Sequence, residues 1–140
     1  MNTSYQLRLC ILTGLLLTCV VGCNKPSEAE RSSLEGHWTG FDLRQPDAQC
    51  SLSINGNLAE YRGTQPRDWL RGAFVLNEQA QPKQLDLKIE ESGVSDAVGT
   101  TTLMIYELEG DELKVAASSR ERPANFTDAE RARLFSFKRE

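Results

Sequence analysis

The sequence predicts an all-β chain that closes as an eight-stranded antiparallel up-and-down barrel with short flanking helices. Three observations carry that expectation. Short runs of alternating apolar and polar residues recur at regular spacing from Gly36 to the C-terminus. Asn55-Gly56 and Gly110-Asp111 divide them as tight turns. Two Ser/Thr-x-x-Glu boxes, Ser27 to Glu30 and Thr127 to Glu130, mark helix starts before the first strand and before the last.

Each element follows from local pattern. Ser27 to about Leu34 is a helix of one or two turns. His37 to Leu43 is the first strand. Gln49 to Ile54 puts Cys50, Leu52 and Ile54 on one face and Ser51 and Ser53 on the other. Leu58 to Arg62 returns from the Asn-Gly turn, and Pro66-Arg67-Asp68 ends it. Trp69 to Leu76 alternates again, with Leu70, Phe74 and Leu76 on one side. Leu85, Leu87 and Ile89 alternate with Asp86, Lys88 and Glu90, so that strand has one wet face. Thr101 to Leu108 and Glu112 to Ala117 form a hairpin through Gly110-Asp111. A short helix from Thr127 to Arg133 precedes the last strand, Leu134 to Lys138. A meander of eight strands removes its edges by closing.

Composition narrows the function. The 140 residues carry 16 Lys+Arg, 20 Asp+Glu and one His, for a net charge of −4. The acidic balance argues against nucleic acid as a partner, because phosphate binding needs a basic footprint. One His rules out a multi-His metal site. No Gly-x-Ser-x-Gly and no phosphate loop occurs. His37 is the lone candidate base and alternates away from Trp38. Glu90, Glu91 and Asp96 read as a solvated acidic loop flank. Arg120, Arg122, Arg131 and Arg133 are interleaved with Glu121, Asp128 and Glu130 and read as local salt bridges. No catalytic residue, cofactor or metal is expected, and no enzyme activity.

The first segment reads as an address. Leu9 to Gly22 is a 14-residue run without charge behind Arg8. That is too short to span a membrane, which takes about 20 apolar residues, and fits a signal-peptide core. Val20-Val21-Gly22-Cys23 resembles the bacterial lipobox, in which the cysteine is acylated and becomes the new N-terminus. The resemblance implies a signal peptide over 1–22, a lipidated tether over 23–34 and a barrel domain over 35–140. It also implies a lipoprotein of the bacterial cell envelope, anchored through lipid on Cys23. Asn24 at the next position favours the outer membrane. Cleavage removes 22 of the 140 residues and leaves 118, with 15 basic and 20 acidic side chains. Cys10 and Cys19 leave with the signal, so Cys50 has no intrachain partner and reads as core.

Two motifs resemble a known architecture. Gly36-His37-Trp38 is similar to the opening Gly-x-Trp of lipocalins, whose Trp closes one barrel end. Pro82-Lys83-Gln84-Leu85-Asp86-Leu87, Ile105 to Val115, Arg122-Pro123 and the closing aromatic strand resemble an uncharacterised bacterial, planctomycete-type family of lipocalin-like domains. The likeness covers residues 34–140 and implies a lipocalin-like barrel with Gly36 and Trp38 as its end signature. It implies no activity. In lipocalins a basic side chain covers the Trp, and Arg122, Arg133 and Arg139 are the candidates.

These readings converge on a monomeric, membrane-anchored binding module. The expected ligand is small and apolar, and the expected lumen lining is Leu52, Ile54, Phe74, Leu87, Ile89, Leu103 and Ile105. The alternative is a protein-interaction lipoprotein, an envelope assembly factor or inhibitor of a secreted enzyme. Its barrel would be filled by side chains, and the rim at Arg67, Asp68 and Trp69 would carry the contact.

Overall fold

A computed structural model describes residues 27–140. Cys23, the signal segment and the start of the tether lie outside the described residues. Eight strands form one closed barrel in chain order: β1 Gly36–Asp42, β2 Gln45–Asn55, β3 Leu58–Arg62, β4 Trp69–Asn77, β5 Lys83–Ser92, β6 Thr101–Glu109, β7 Glu112–Ser118 and β8 Arg133–Arg139. Every neighbouring pair is antiparallel, and β8 pairs with β1 to close the ring. Among the described residues, no helix is long and apolar enough to cross a membrane.

Closure depends on a close backbone approach at the seam. Gly40 on β1 faces Phe137 on β8, and a Cβ at Gly40 would overlap the carbonyl oxygen of Ser136. Only glycine fits there. The Asn55-Gly56 turn closes β2 onto β3 with Gly56 at φ +60°, a left-handed conformation that side chains resist.

The barrel has two unlike ends. One is closed by helix α1, Glu28–Leu34, which is capped by Ser27. The capping box is half used. Ser27 Oγ accepts from the Glu30 N–H at 3.2 Å, but the Glu30 carboxylate does not reach back. It accepts instead from Lys83 Nζ at 2.7 Å and from the Tyr106 hydroxyl at 3.0 Å, pinning α1 to β5 and β6. The Ser27 backbone N–H and hydroxyl both donate to Glu78 in the β4–β5 connection. The helix is therefore packed as part of the barrel end.

Trp38 sits beneath α1 and is fully buried. Its Nε1–H donates to the Leu34 carbonyl at 3.0 Å, satisfying the indole's one polar atom. Arg139 is the covering residue. Its guanidinium carbon lies 4.1 Å from the Trp38 ring centroid, and it donates to the carbonyls of Ser33 and Glu35. Arg122 instead pairs with Asp86 at 2.6 Å on the barrel's outside.

One expected element does not form. Residues 129–131 make a single turn where a helix from Thr127 to Arg133 was expected. Asp128 is the capping residue: its Oδ1 accepts from the Arg131 N–H, and its carbonyl from the Ala132 N–H. The helix stops because Arg133 is already paired with Ala117 as the first residue of β8.

Candidate functional site

Strand pairing fixes which side chains point inward. Trp38, Leu52, Tyr61 and Leu70 lie in register across β1 to β4. Met104, Ala117 and Arg133 do so across β6 to β8. All of these inward residues except Trp38, which is packed beneath the closed end, border a cavity of about 930 Å³. Its depth is apolar, walled by Leu85, Leu87, Leu113, Val115, Phe135 and Phe137. Leu34 of α1 borders it at the closed end. Ser118 to Glu121, Glu130 to Arg133 and Arg44 border it at the other, so the lumen opens opposite α1.

The expected lining divides three ways. Leu52, Ile54 and Leu87 border the cavity. Phe74 and Ile89 are buried on the lumenal faces of their strands but do not border the open space; Phe74 lies opposite Leu87 and Ile89 opposite Gly72. Leu103 and Ile105 point the other way. The inward residues of β6 are Thr102, Met104 and Tyr106. Ile105 packs outside the barrel with Ala116, Ala132 and Leu134, under Phe126. The reason is the covering segment 119–132, which buries this outer face. With apolar residues on both faces, β6 shows no parity to read.

A polar network stands at the mouth. Arg133 shares the lumenal face of β8 with Phe135 and Phe137. Its Nε donates to Asp42 Oδ2 at 3.0 Å, Nη1 to Asp68 Oδ1 at 3.2 Å and Nη2 to the Tyr61 hydroxyl at 3.0 Å. The Tyr61 hydroxyl in turn donates to Asp68 Oδ2 at 3.1 Å. The guanidinium carbon lies 5.4 Å from the Tyr61 ring centre and 5.0 Å from that of Phe135. One side chain from β8 thus ties β1, β3 and the β3–β4 loop together across the rim.

Protonation follows from this geometry. Burial pushes the Asp42 carboxyl up, but the backbone N–H of Arg44 and the Arg133 guanidinium outweigh it, and its pKa lies below 3.8. Burial works against the charge on Arg133, yet its bonds to Asp68 and Asp42 hold it firmly protonated. Burial raises the Tyr61 hydroxyl above its ordinary value despite the nearby Arg133 charge. Burial likewise lifts the Cys50 thiol, beside Gly40 in the register, from 9.0 to about 11. Cys50 at neutral pH is a thiol in a lumenal wall and a poor nucleophile.

The remaining candidates are dispersed. His37 is exposed, with Nδ1 2.9 Å from Ser53 Oγ. Among the described residues, no three His, Cys, Asp or Glu side chains come together as a metal site. Asp68 of the rim loop is taken by Arg133, and Trp69 is half-buried under Arg62. Asp42 and Tyr61 are the functional residues that pattern reading missed. Period-2 parity was the available signal: Asp42 is four residues from Trp38, and Arg133 two from Phe135, so both point inward. No protein-family model and no curated protein matches this chain.

Proposed function

We propose that this protein is a lipid-anchored, lipocalin-like lipoprotein of the bacterial cell envelope that holds a small apolar ligand in its barrel. The 930 Å³ cavity carries the reading. Its volume lies within the range of small-molecule sites, about 300–1,000 Å³, and its walls are mostly aliphatic and aromatic, with the charged side chains gathered at the mouth and the Tyr106 hydroxyl bonded to Glu30 at the closed end. A ligand entering there leaves its apolar part among Leu87, Leu113 and Phe137 and any polar end beside Arg133 and Tyr61. The Gly36-x-Trp38 closure and the motifs from Pro82 to Val115 support membership of the lipocalin-like family named above. The Gly22-Cys23 junction supports the anchor. The same cavity favours a binder over a protein-interaction lipoprotein with a filled barrel.

The test is direct. The chain from residue 24 is purified under native conditions, weighed intact for a retained ligand, and titrated with an environment-sensitive apolar fluorophore. Saturable binding of one equivalent, displaced by a long-chain fatty acid or alcohol, is expected. A chain with no mass shift and no saturable binding would be a scaffold and not a carrier. For the anchor, Cys23→Ala is expected to move the protein from the detergent phase to the aqueous phase.

A further inference from the structure

We infer that the open mouth of the barrel faces away from the bilayer that holds its anchor, so that ligand is exchanged on the aqueous side and not with the anchoring leaflet. The inference rests on the lipid-anchor and binder reading above and adds a direction to it.

The first described residue, Ser27, is fixed at the closed end. Its backbone N–H and hydroxyl both bond to Glu78, in the connection from β4 to β5. From there α1 runs across that end, buries Leu34 and delivers the chain to β1. The mouth, bordered by Arg44, Ser119 and Arg131, lies at the far ends of the same strands. Cys23 is four residues before Ser27. Four Cα–Cα steps span at most about 14 Å.

The barrel is taller than that. A nine-residue strand such as β6 runs about 30 Å at 3.3 Å per residue, and a tilt near 40° leaves about 23 Å of height. An acyl chain on Cys23 therefore enters a bilayer beside α1 and not beside the mouth. The closed end carries charges of both signs, with Glu28, Glu35 and Glu78 beside Arg31, Lys83 and Arg139 and Asp111 paired with Arg139, so the anchor and not surface charge makes it the near end. Of the five exposed large apolar residues among the described ones, Leu43, Val94 and Val98 sit at or beside the opposite rim, Phe41 lies one residue from the end of β1 there, and Val75 lies toward the closed end of β4.

A fluorescence quenching experiment tests the direction. The full-length protein, acylated by its own processing in a bacterial host, is reconstituted into vesicles of phosphatidylethanolamine and phosphatidylglycerol containing a headgroup nitroxide lipid. A maleimide fluorophore is placed at Ser32→Cys on α1 or at Ser119→Cys at the mouth. Both positions are exposed, and the buried Cys50 thiol does not compete for label. The expected result is quenching at Ser32→Cys several-fold stronger than at Ser119→Cys. Equal quenching, or stronger quenching at Ser119→Cys, on vesicles that carry the protein would overturn the direction and leave the anchor intact. Protein that fails to float with the vesicles would overturn the anchor and the direction together, while binding of the apolar fluorophore would still report on the cavity.

Discussion

The Arg139 guanidinium stands over the Trp38 ring, 4.1 Å from guanidinium carbon to ring centroid, while its two terminal nitrogens donate to the carbonyls of Ser33 and Glu35. The last residue of β8 thereby clamps the end of α1 onto the tryptophan that closes the barrel. A desolvated cation–π contact contributes up to about 2 kcal/mol, and hydrogen bonds to a charged group about 1.5 kcal/mol or more each. Arg139→Ala is expected to cost about 2–4 kcal/mol. Arg139→Lys keeps a charge but not the planar fork, and recovers about 1 kcal/mol of the loss. Urea midpoints at unchanged slope measure both. A loss under about 0.5 kcal/mol for Arg139→Ala would make the clamp incidental.

At the opposite end, Asp42 is a buried carboxylate whose charge depends on Arg133. Its folded pKa is below the ordinary 3.8. Its contribution to stability is therefore present above the unfolded value and drains as pH falls from about 5 through 3.8 and below. Arg133→Met removes one of the groups that lower the Asp42 pKa and leaves burial opposed by the Arg44 N–H and guanidinium alone, so the Asp42 pKa rises from its value in the intact protein. The variant is expected to lose about 3 kcal/mol at pH 7, the low end for a broken buried pair because Arg133 is itself more than a third exposed. The deficit is expected to shrink on acidification to pH 4, as Asp42 takes up a proton in the variant. Chemical denaturation at pH 7, 5.5 and 4 follows it. A deficit that stays constant with pH would show that Asp42 holds its charge without Arg133, through Arg44 or water.

Strand existence was legible because alternation and turn chemistry are local. Leu58–Arg62 is bounded by Asn55-Gly56 and Pro66, and it forms as expected. Strand ends were less legible, because cross-strand pairing decides them. β2 begins at Gln45 and not Gln49, since the register with β1 shifts at Phe41/Asp42 and lets Gln45 face Asp42. The site was half legible. Leu52, Ile54 and Leu87 lie on strands with one polar face, which shows parity. Leu103 and Ile105 lie on a strand buried on both sides, where parity is invisible until the segment holding Phe126 is placed over it. Asp42 carried no role in the sequence pattern, and Arg133 read as a local salt-bridge former or a cover for Trp38. Their pairing spans 91 residues, and only closure of β8 onto β1 brings it about.

Cys50 offers a kinetic reading of the lumen. Burial lifts its thiol from 9.0 to about 11, so at pH 8 its thiolate fraction is about 100-fold below that of an ordinary cysteine. Alkylation of Cys50 in the chain from residue 24, where it is the only thiol, is expected to be at least about 100-fold slower at pH 8 than in the urea-unfolded chain. Mass spectrometry against time measures it. Rates within about tenfold of each other would place Cys50 in contact with water.

The two faces of β6 and β7 make opposite predictions about ligand. Ala117 points inward, borders the cavity and lies between Met104 and Arg133 in the register. Ala117→Trp projects a large ring into the open space near the mouth and is expected to weaken apolar-probe binding at least tenfold, about 1.4 kcal/mol. Ile105 points outward into the cluster with Ala116 and Leu134. Ile105→Ala leaves a void there and is expected to cost about 2–4 kcal/mol of stability. Its effect on probe affinity is expected to stay under about twofold, because no atom of the lumen wall is removed. Probe titration and urea denaturation on both variants separate the effects. If Ile105→Ala lowered affinity as much as Ala117→Trp did, the bound probe would lie on the outer face of β6 and not in the lumen.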